Sequence, residues 1–254
     1  MQDKNHLRLL CVTAHPDDEA GGFGGTLMLY ASRGVETHLV CLTPGQAATH
    51  RGGARDDDEL ATMRRQELGR SAAILRLASW ECLHYPDAGL DRQDFYSVVG
   101  ELVRRIRTLR PHVVITIGPE GAVTAHPDHS MASVFTTMAY QWAARSNRYT
   151  EQLDRGLKPH RAQKLYYAAS LFTLADRQPI SPAPVTAVIE IGQELVEKKI
   201  SAFKAHTSQS PLFPIFEHTV RQRGTREFFH LAASTSPREM ERETDLFAGV
   251  EEKD

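Results

Sequence analysis

Two short stretches of this chain, TAHPDDEAGGFGG near its start and TAHPDHS near its middle, combine histidine, proline and aspartate. In the first, His15 and Asp18 are three residues apart, and in the second His126 and His129 share that spacing. Side chains three residues apart at the start of a helix can converge on one point. Catalytic zinc is held by three such nitrogen and oxygen ligands, with a fourth position left to water. The spacing therefore favours a metal site, with Asp17 among the acids left over for proton transfer.

Each motif alone also has a simpler explanation. Acids near a helix N-terminus accept hydrogen bonds from unpaired N–H groups and complement the helix dipole. For either motif by itself, a cap and a metal role are about equally favoured. Two His-Pro-Asp motifs, each directly after a predicted strand, are harder to explain as caps. Their combination favours the metal site.

The glycines that follow the first motif raise the alternative of a dinucleotide site. The spacing argues against it, because Leu27 stands where the third glycine of that fingerprint should be. The second predicted strand also ends LVCLTPGQ, without the acid that would bind a ribose hydroxyl. We interpret the glycines as positions where a helix packs closely beneath the site.

Apolar runs alternate with helical patterns along most of the chain. Short continuous apolar runs are typical of strands buried on both faces, and apolar residues at helical spacing are typical of amphipathic helices. The predicted strands are LRLLCVTA (7–14), VETHLVCLT (35–43), ECLHY (81–85), HVVITIG (112–118), KLYYAAS (164–170), VTAVIEI (185–191) and one near REFFHLA (226–232). The predicted helices span 18–32, 58–77, 94–110, 130–144 and 193–206. This alternation predicts an α/β fold with a mainly parallel sheet flanked by helices.

The order of the elements places both motifs at one edge of the predicted sheet. In an open parallel sheet, ligands bind beyond the carboxyl ends of the strands. The first motif follows the first predicted strand, and the second motif follows the fourth. No internal repeat divides the chain, so we predict a single domain over residues 1–254. The polar residues from about Ser234 onward are predicted to form a frayed tail.

Composition narrows the function classes. The 254 residues are 41% hydrophobic and 24% charged, which is ordinary for a globular protein with its own core. The net charge of -2 gives no basic field for nucleic acid or an anionic membrane, so nucleic acid is not an expected partner. The local cluster of Arg104, Arg105 and Arg107 is interpreted as a solvated helix face.

The cysteines and the N-terminal residues favour a cytoplasmic location. The chain has an odd number of cysteines, and all of them lie in or beside predicted strands: Cys11, Cys41 and Cys82. Both observations argue against a disulfide framework. The opening MQDKNHLRLL has no apolar region long enough for a signal peptide. No stretch approaches the roughly 18 consecutive apolar residues of a membrane span. We therefore expect no integral membrane association.

Five short motifs occur in order along about 200 residues, and together they are very specific. They are HPDDE after the first strand, R-x-x-E-L at Arg64–Leu68, YPD at 85–87, HPDH at 126–129 and AHTSQ at 205–209. In this combination the chain resembles the PIG-L/LmbE-like zinc-dependent N-acetylglucosaminyl deacetylases. The resemblance implies a Rossmann-like α/β fold. It also implies hydrolysis of the N-acetyl group of an N-acetylglucosamine unit in a small-molecule sugar or a glycoconjugate, with release of acetate and a free amine.

The resemblance also implies roles for residues of the first motif and for one residue of the second. By position, His15, Asp18 and His129 would be the zinc ligands, and Asp17 would be the general base. Adjacent side chains at a helix start point in different directions, so one acid can bind the metal while the other faces the attacking water. Zinc would lower the pKa of its bound water to about 7 and polarise the amide carbonyl.

Four further residues take their expected roles from the same resemblance. His126 would stabilise the oxyanion or protonate the leaving amine. Asp128 would orient the His126 ring, and a carboxylate at that position is expected to raise the pKa of His126. Arg64 and Asp87 match positions that contact the sugar, although Arg64 could instead form an ion pair with Glu67 on its own helix.

Several points stay open after the motif comparison. The loop after the second strand has Gln46 where family members often carry an acid, and GAVTA lacks a tyrosine that some members place before the second motif, so the acceptor sugar is not specified. A hydrolase of another amide or ester, or a non-catalytic metal- or nucleotide-binding protein, is the alternative function. Glu19 is interpreted as a support of the site or a complement to the helix dipole and not as a ligand, and His206 as a core or capping residue outside the site. A homo-oligomer is neither indicated nor excluded.

Overall fold

Seven strands of the computed structural model, which describes residues 7–169, 179–236 and 241–252, form one sheet in the order β3-β2-β1-β4-β5-β7-β6. The strands are β1 (Arg8–Thr13), β2 (Glu36–Cys41), β3 (Ser79–Cys82), β4 (Val113–Ile117), β5 (Lys164–Ala168), β6 (Ala187–Glu190) and β7 (Arg226–Ser234). The first five are mutually parallel, and β7 is antiparallel to both β5 and β6. The prediction of a Rossmann-like, mainly parallel sheet is confirmed.

Helices cover the sheet, and the central strands are buried on both faces. The helices are α1 (Asp18–Ser32), α2 (Asp57–Leu75), α3 (Phe95–Leu109), α4 (Pro127–Ala143), α5 (Thr150–Asp154), α6 (Gly192–Lys204) and α7 (Phe213–Arg223). In β1 and β4, the segments Leu9–Cys11 and Val113–Ile115 have no exposed surface. This burial explains why both strands are continuous apolar runs without alternation.

Several predicted boundaries moved. Helix α1 has the predicted bounds, whereas α4 begins at Pro127, three residues before the predicted start. The reason is a cap: His126 Nδ1 accepts the Asp128 backbone N–H at 3.1 Å, and proline is favoured in a first helical turn. Strand β3 covers Ser79–Cys82 instead of 81–85. The short α5 and the helix α7 were not predicted, and Ser170 of the fifth predicted strand lies outside the described residues.

The interpretation of the α3 arginines as a solvated face is wrong for two of them. Arg105 and Arg107 are buried, and only Arg104 is exposed. Arg105 pairs with two glutamates, and Arg107 Nη2 donates to the carbonyls of Arg145 and Arg148, both at 2.9 Å. A buried guanidinium with carbonyl partners ties the chain after α4 to α3, which periodicity alone does not reveal.

The prediction of a frayed tail is wrong for residues 241–252. Leu246 and Phe247 are buried in the core, and Tyr30 Oη donates to Asp245 at 2.8 Å. The Glu243 backbone bridges to Ala187 at the start of β6. Two apolar side chains, one side-chain hydrogen bond and one backbone bridge together hold this polar segment against the sheet. Among the described residues, no helix is both long and apolar enough to cross a membrane.

The prediction that the glycines of α1 allow close packing holds for Gly25 but not for Gly22. A Cβ atom on Gly25 would lie 2.3 Å from Ile191 Cδ1 and 2.9 Å from Glu227 Oε1. By contrast, a Cβ atom on Gly22, on the same helix, would meet nothing within 4 Å. The two glycines therefore differ in the space around them, although both lie inside one helix.

Alanine substitution at these two glycines is expected to have opposite effects on stability. Gly25→Ala should lower the free energy of unfolding by about 1–3 kcal/mol, because the methyl group overpacks the contact with Ile191. Gly22→Ala should raise it by up to about 1 kcal/mol, because alanine is the better helix former. Urea denaturation of both variants tests the pair. Equal stabilities would contradict the packing argument.

Candidate metal centre

The two His-Pro-Asp motifs meet at the point where the strand order reverses. Strands β1 and β4 are neighbours in the sheet, yet the chain leaves them toward opposite sides. A crevice opens beyond the carboxyl ends of such strands, and it is the usual ligand site of open α/β sheets. His15 follows β1, and His126 precedes α4 after β4. The expectation of one shared sheet edge is confirmed.

His15, Asp18 and His129 form a tight cluster in this crevice. His15 Nδ1 lies 3.2 Å from His129 Nε2, and His129 Nε2 lies 3.1 Å from Asp18 Oδ1. The ligand atoms of these three side chains all lie within 4.8 Å of one another. Two imidazole nitrogens and one carboxylate oxygen at this spacing are a donor set for a transition metal. His126 and Asp128 form a second, overlapping group with His15.

The histidines of the cluster use their second ring nitrogens as metal-binding histidines do. His15 Nε2 lies 2.9 Å from Asp87 Oδ1 and 3.4 Å from Asp128 Oδ2. His129 Nδ1 lies 3.1 Å from the Gly121 carbonyl oxygen. Such outer partners fix the ring orientation and the tautomer and increase the basicity of the other nitrogen. Each ring thus offers one nitrogen to the shared point between the three side chains.

The electrostatics of the cluster favour a positive charge at that point. Burial opposes protonation of His15, but the carboxylates of Asp128 and Asp87 outweigh it and raise its pKa to about 10. For Asp18, burial again opposes the charged form, and the neighbouring His129 and His15 hold its pKa below the usual range. The surroundings that favour a proton here also favour a metal cation. The residues present therefore fit a metal ion.

Asp17 lies next to this cluster but faces another partner. Its Oδ2 accepts a hydrogen bond from Arg64 Nη2 at 3.0 Å, whereas Asp18 faces the two histidines. Its backbone has φ 110°, which is unusual for a residue other than glycine. Burial raises the pKa of Asp17 to about 6, against the opposite effect of Arg64. The divergence of the two adjacent acids agrees with the division of roles expected from the sequence.

Arg64 and Asp87, expected to contact a sugar, hold other site residues. Arg64 is buried, donates to the Gly45 carbonyl at 2.9 Å and also donates to the Pro16 carbonyl. A Cβ atom on Gly45 would lie 2.0 Å from Arg64 Nη1, so this contact requires glycine. Asp87 accepts the Ala47 N–H at 2.8 Å and contacts His15 through its other oxygen. Contacts to a sugar stay a prediction for both residues.

Asp128 supports the site differently from the expectation. Its carboxylate accepts the N–H groups of Ala88 at 2.8 Å and Leu90 at 3.1 Å and lies beside His15. Its link to His126 is the backbone N–H that His126 Nδ1 accepts. The His126 ring stands edge-on to His15, with ring centroids 4.9 Å apart. Since Nδ1 is an acceptor, the ring proton of neutral His126 is on Nε2.

The expected rise in the pKa of His126 is wrong. Burial lowers the pKa, the positive charges of His15 and His129 lower it further, and the opposite effect of Asp128 is smaller. The sequence showed the adjacent acid but not the two histidines that the fold brings to the same ring. Neutral His126 can still donate a hydrogen bond through Nε2.

Two buried residues lie behind Asp17, and reasoning from the sequence placed one of them, His206, outside the site. His206 Nε2 lies 2.7 Å from Glu19 Oε1, and neither side chain is exposed. Glu19 Oε2 accepts the Asp17 backbone N–H at 2.9 Å. The interpretation of Glu19 as a support of the site agrees with this contact. The AHTSQ motif was the available signal for His206, but its partner lies 187 residues away in the sequence.

Fold and cluster together define a Rossmann-like α/β protein whose His/Asp/His group at the topological switch point fits a metal ion. A family model described as GlcNAc-PI de-N-acetylase, PIG-L, matches residues 10–140. The 1D-myo-inositol 2-acetamido-2-deoxy-alpha-D-glucopyranoside deacetylase 2 of Catenulispora acidiphila is 30% identical over an alignment of 298 positions that covers 95% of this chain and 97% of that protein. The chain belongs to the PIG-L family.

Two further similarities extend this comparison. The mycothiol S-conjugate amidase of Streptomyces coelicolor is 32% identical over 166 residues, which cover 58% of this chain and 56% of that protein. The structure of N,N'-diacetylchitobiose deacetylase from Pyrococcus horikoshii matches with a TM-score of 0.74 and 24% identity over 88% of this chain and 83% of that chain. The second similarity is one of fold.

Removal of one cluster histidine is expected to weaken metal binding strongly. His129→Ala takes away one nitrogen donor and should weaken Zn²⁺ binding by at least about 100-fold, since even outer partners of such ligands contribute 10- to 100-fold. His218→Ala, at an exposed histidine of α7, is the control and should bind as the wild type does. Competition with a chromophoric chelator measures both affinities. Equal affinity in the two variants would place the metal elsewhere.

Proposed function

We propose that this protein is a zinc-dependent N-deacetylase that hydrolyses the acetamido group of an N-acetylglucosamine unit and releases acetate and a free amine. The cluster of His15, Asp18 and His129, with a separate carboxylate beside it, is the observation that carries the proposal. A relative aligned over nearly its whole length is named as a deacetylase of a 2-acetamido-2-deoxyglucopyranoside. An N-acetylated sugar is therefore the substrate class.

The donor set supports zinc as the metal. Mg²⁺ and Ca²⁺ prefer ligand shells made of oxygen, whereas two imidazoles and one carboxylate are typical of catalytic zinc. When bound, zinc acts as a Lewis acid that polarises the amide carbonyl and makes water a better nucleophile at neutral pH. His15, Asp18 and His129 would hold it, and Asp87, Asp128 and the Gly121 carbonyl would keep the two imidazole rings in orientation.

Asp17 is the proposed general base. It has to accept a proton from the attacking water, so its carboxylate must stay outside the ligand set while remaining close to it. Arg64 fulfils both requirements, because it donates to Asp17 Oδ2 and holds the preceding Pro16 carbonyl. The same ion pair keeps one carboxylate oxygen occupied, and the other oxygen is left for the proton.

His126 is the proposed donor to the reacting amide. Its Nδ1 accepts the Asp128 backbone N–H, so the proton on Nε2 can form a hydrogen bond to the oxyanion. The departing amine nitrogen must be protonated before it leaves, and the proton that Asp17 takes from the attacking water supplies it, because a neutral imidazole that gave up its Nε2 proton would become an imidazolate anion. The backbone N–H of Asp128 holds the His126 ring, and the carboxylate of Asp128 holds the His15 ring.

A hydrolase of a different amide is the second candidate function. The observation in its favour is the similarity to an amidase, although the alignment covers only 56% of that protein. Both reactions cleave an amide bond with the same groups, so they differ in what surrounds the amide. Arg64 and Asp87 are proposed to contact the substrate. A cytoplasmic location is proposed because Cys11, Cys41 and Cys82 form no disulfide bond.

The base role predicts a specific loss in Asp17→Asn. The amide cannot accept the proton, so kcat should fall by about 100- to 10,000-fold, while bound zinc stays at the wild-type level. Asp58→Asn, an exposed acid on α2, is the matched control and should keep wild-type kcat. Acetate release and elemental analysis are measured on the same samples. Near wild-type turnover in Asp17→Asn would remove Asp17 from the mechanism.

Substrate profiling tests the function itself. The zinc-loaded protein should release acetate from at least one glycoside of N-acetylglucosamine, and removal of zinc by a chelator should stop the release until zinc is restored. A mycothiol-type amide in the same panel tests the second candidate. Cleavage of that amide alone would favour the amidase function. A protein that takes up no zinc would contradict both.

A further inference from the structure

A buried ion pair lies directly behind the metal centre and takes no part in the chemistry described above. His206 follows α6, and its Nε2 lies 2.7 Å from Glu19 Oε1 in the second position of α1. Ser71 Oγ of α2 donates to the same oxygen at 2.6 Å. Buried ion pairs are costly to desolvate and are weak evidence of a stabilising role by themselves. The contacts of the pair show what it holds in place.

The second carboxylate oxygen of Glu19 contacts the backbone of Asp17. Glu19 Oε2 accepts the Asp17 N–H at 2.9 Å, and Arg64 donates to the Pro16 carbonyl. This carbonyl and this N–H belong to one peptide group, so the peptide before Asp17 is held at both of its polar ends. Asp17 has φ 110° and ψ -26°, a conformation that a residue with a Cβ atom keeps only when its surroundings impose it.

We propose that His206 and Glu19 act as a positioning pair for Asp17. They hold the Pro16–Asp17 peptide in its strained conformation, so that the Asp17 carboxylate faces Arg64 while the Asp18 carboxylate faces His15 and His129. The inference rests on the proposed base role of Asp17. It assigns a function to the AHTSQ motif that neither the fold nor the metal cluster requires.

Loss of the positioning pair is expected to lower the turnover rate and to leave substrate affinity unchanged. Without His206, the Glu19 carboxylate loses a hydrogen-bond donor at Oε1 and can turn away from the Asp17 N–H. The strained backbone then relaxes and carries the carboxylate away from the water that it must deprotonate. A displacement of about 1 Å can cost about 100-fold in rate. His206 has no exposed surface, so it does not itself touch a substrate.

Three variants and one control test the pair. His206→Leu removes the donor to Glu19, and His206→Gln keeps an amide N–H that can replace Nε2. Ser71→Ala removes only the hydroxyl group that donates to the same Glu19 carboxylate. The control is His160→Leu, at another buried histidine whose Nε2 lies 2.7 Å from the Pro111 carbonyl, which precedes β4 at the opposite edge of the sheet. Crystal structures, kcat, KM, melting temperature and zinc per chain are measured for each.

We expect His206→Leu to lower kcat by about 10- to 100-fold, with zinc content unchanged and KM within about threefold of wild type. His206→Gln should recover most of this loss, and Ser71→Ala should lower kcat by about threefold, as for one lost hydrogen bond. In the crystal structure of His206→Leu, the Asp17 φ should leave the value near 110°. His160→Leu should lower the melting temperature and keep wild-type kcat.

The proposal is overturned if folded, zinc-loaded His206→Leu turns over as the wild type does, or if its Asp17 φ is unchanged. A fall in melting temperature with unchanged kcat would show a structural role only. If His206→Leu does not fold, Ser71→Ala and His206→Gln provide the test. A lowered kcat with an unchanged KM supports the proposal, and an unchanged kcat in both variants contradicts it. If the wild type itself releases no acetate, the proposed function fails, and the Asp17 backbone in the crystal structures still tests the positioning pair.

Discussion

The pairing of β1 with β4 is the constraint on which the site depends. The two strands are more than 100 residues apart in the sequence, and their pairing places their ends side by side. Each end continues into a helix that begins with a His-Pro-Asp motif, so both helices start at the same crevice. His15 and His129 meet there at 3.2 Å. Without this neighbour relation, each motif would be only a helix start with an acid in its first turn.

Backbone N–H groups make this concentration of acids tolerable. Asp18 accepts the His15 N–H at 2.9 Å, Asp87 accepts the Ala47 N–H, and Asp128 accepts two N–H groups from the loop before α3. Each carboxylate is thus fixed in direction before any cation arrives. A site whose ligands and outer partners are already oriented needs little reorganisation on metal binding, and preorganisation of this kind is a main source of catalytic electrostatics.

The sequence was sufficient for what depends on local pattern and on strand order. The bounds of α1, the continuous apolar strands and the shared edge of the two motifs all follow from such patterns. It was insufficient where a side chain meets a partner brought by the tertiary fold. The burial of Arg107 among carbonyl groups, the lowered pKa of His126 beside two other histidines, and the contact between His206 and Glu19 have no local signal. The tail around Leu246 was misjudged for the same reason.

Helix α1 links the stability of the fold to the geometry of the site. Its first turn contains Asp18 and Glu19, and Gly25 on the same helix has no room for a Cβ atom because Ile191, directly before α6, and Glu227 of β7 lie against it. The chain leaves α6 at Lys204 and reaches back two residues later, through His206, to Glu19. The position of Asp17 therefore depends on the packing of two helices as well as on its immediate neighbours. A loss of close packing between α1 and α6 would move His206 relative to Glu19. The small residues inside α1 and the buried histidine after α6 therefore act together to set the position of Asp17.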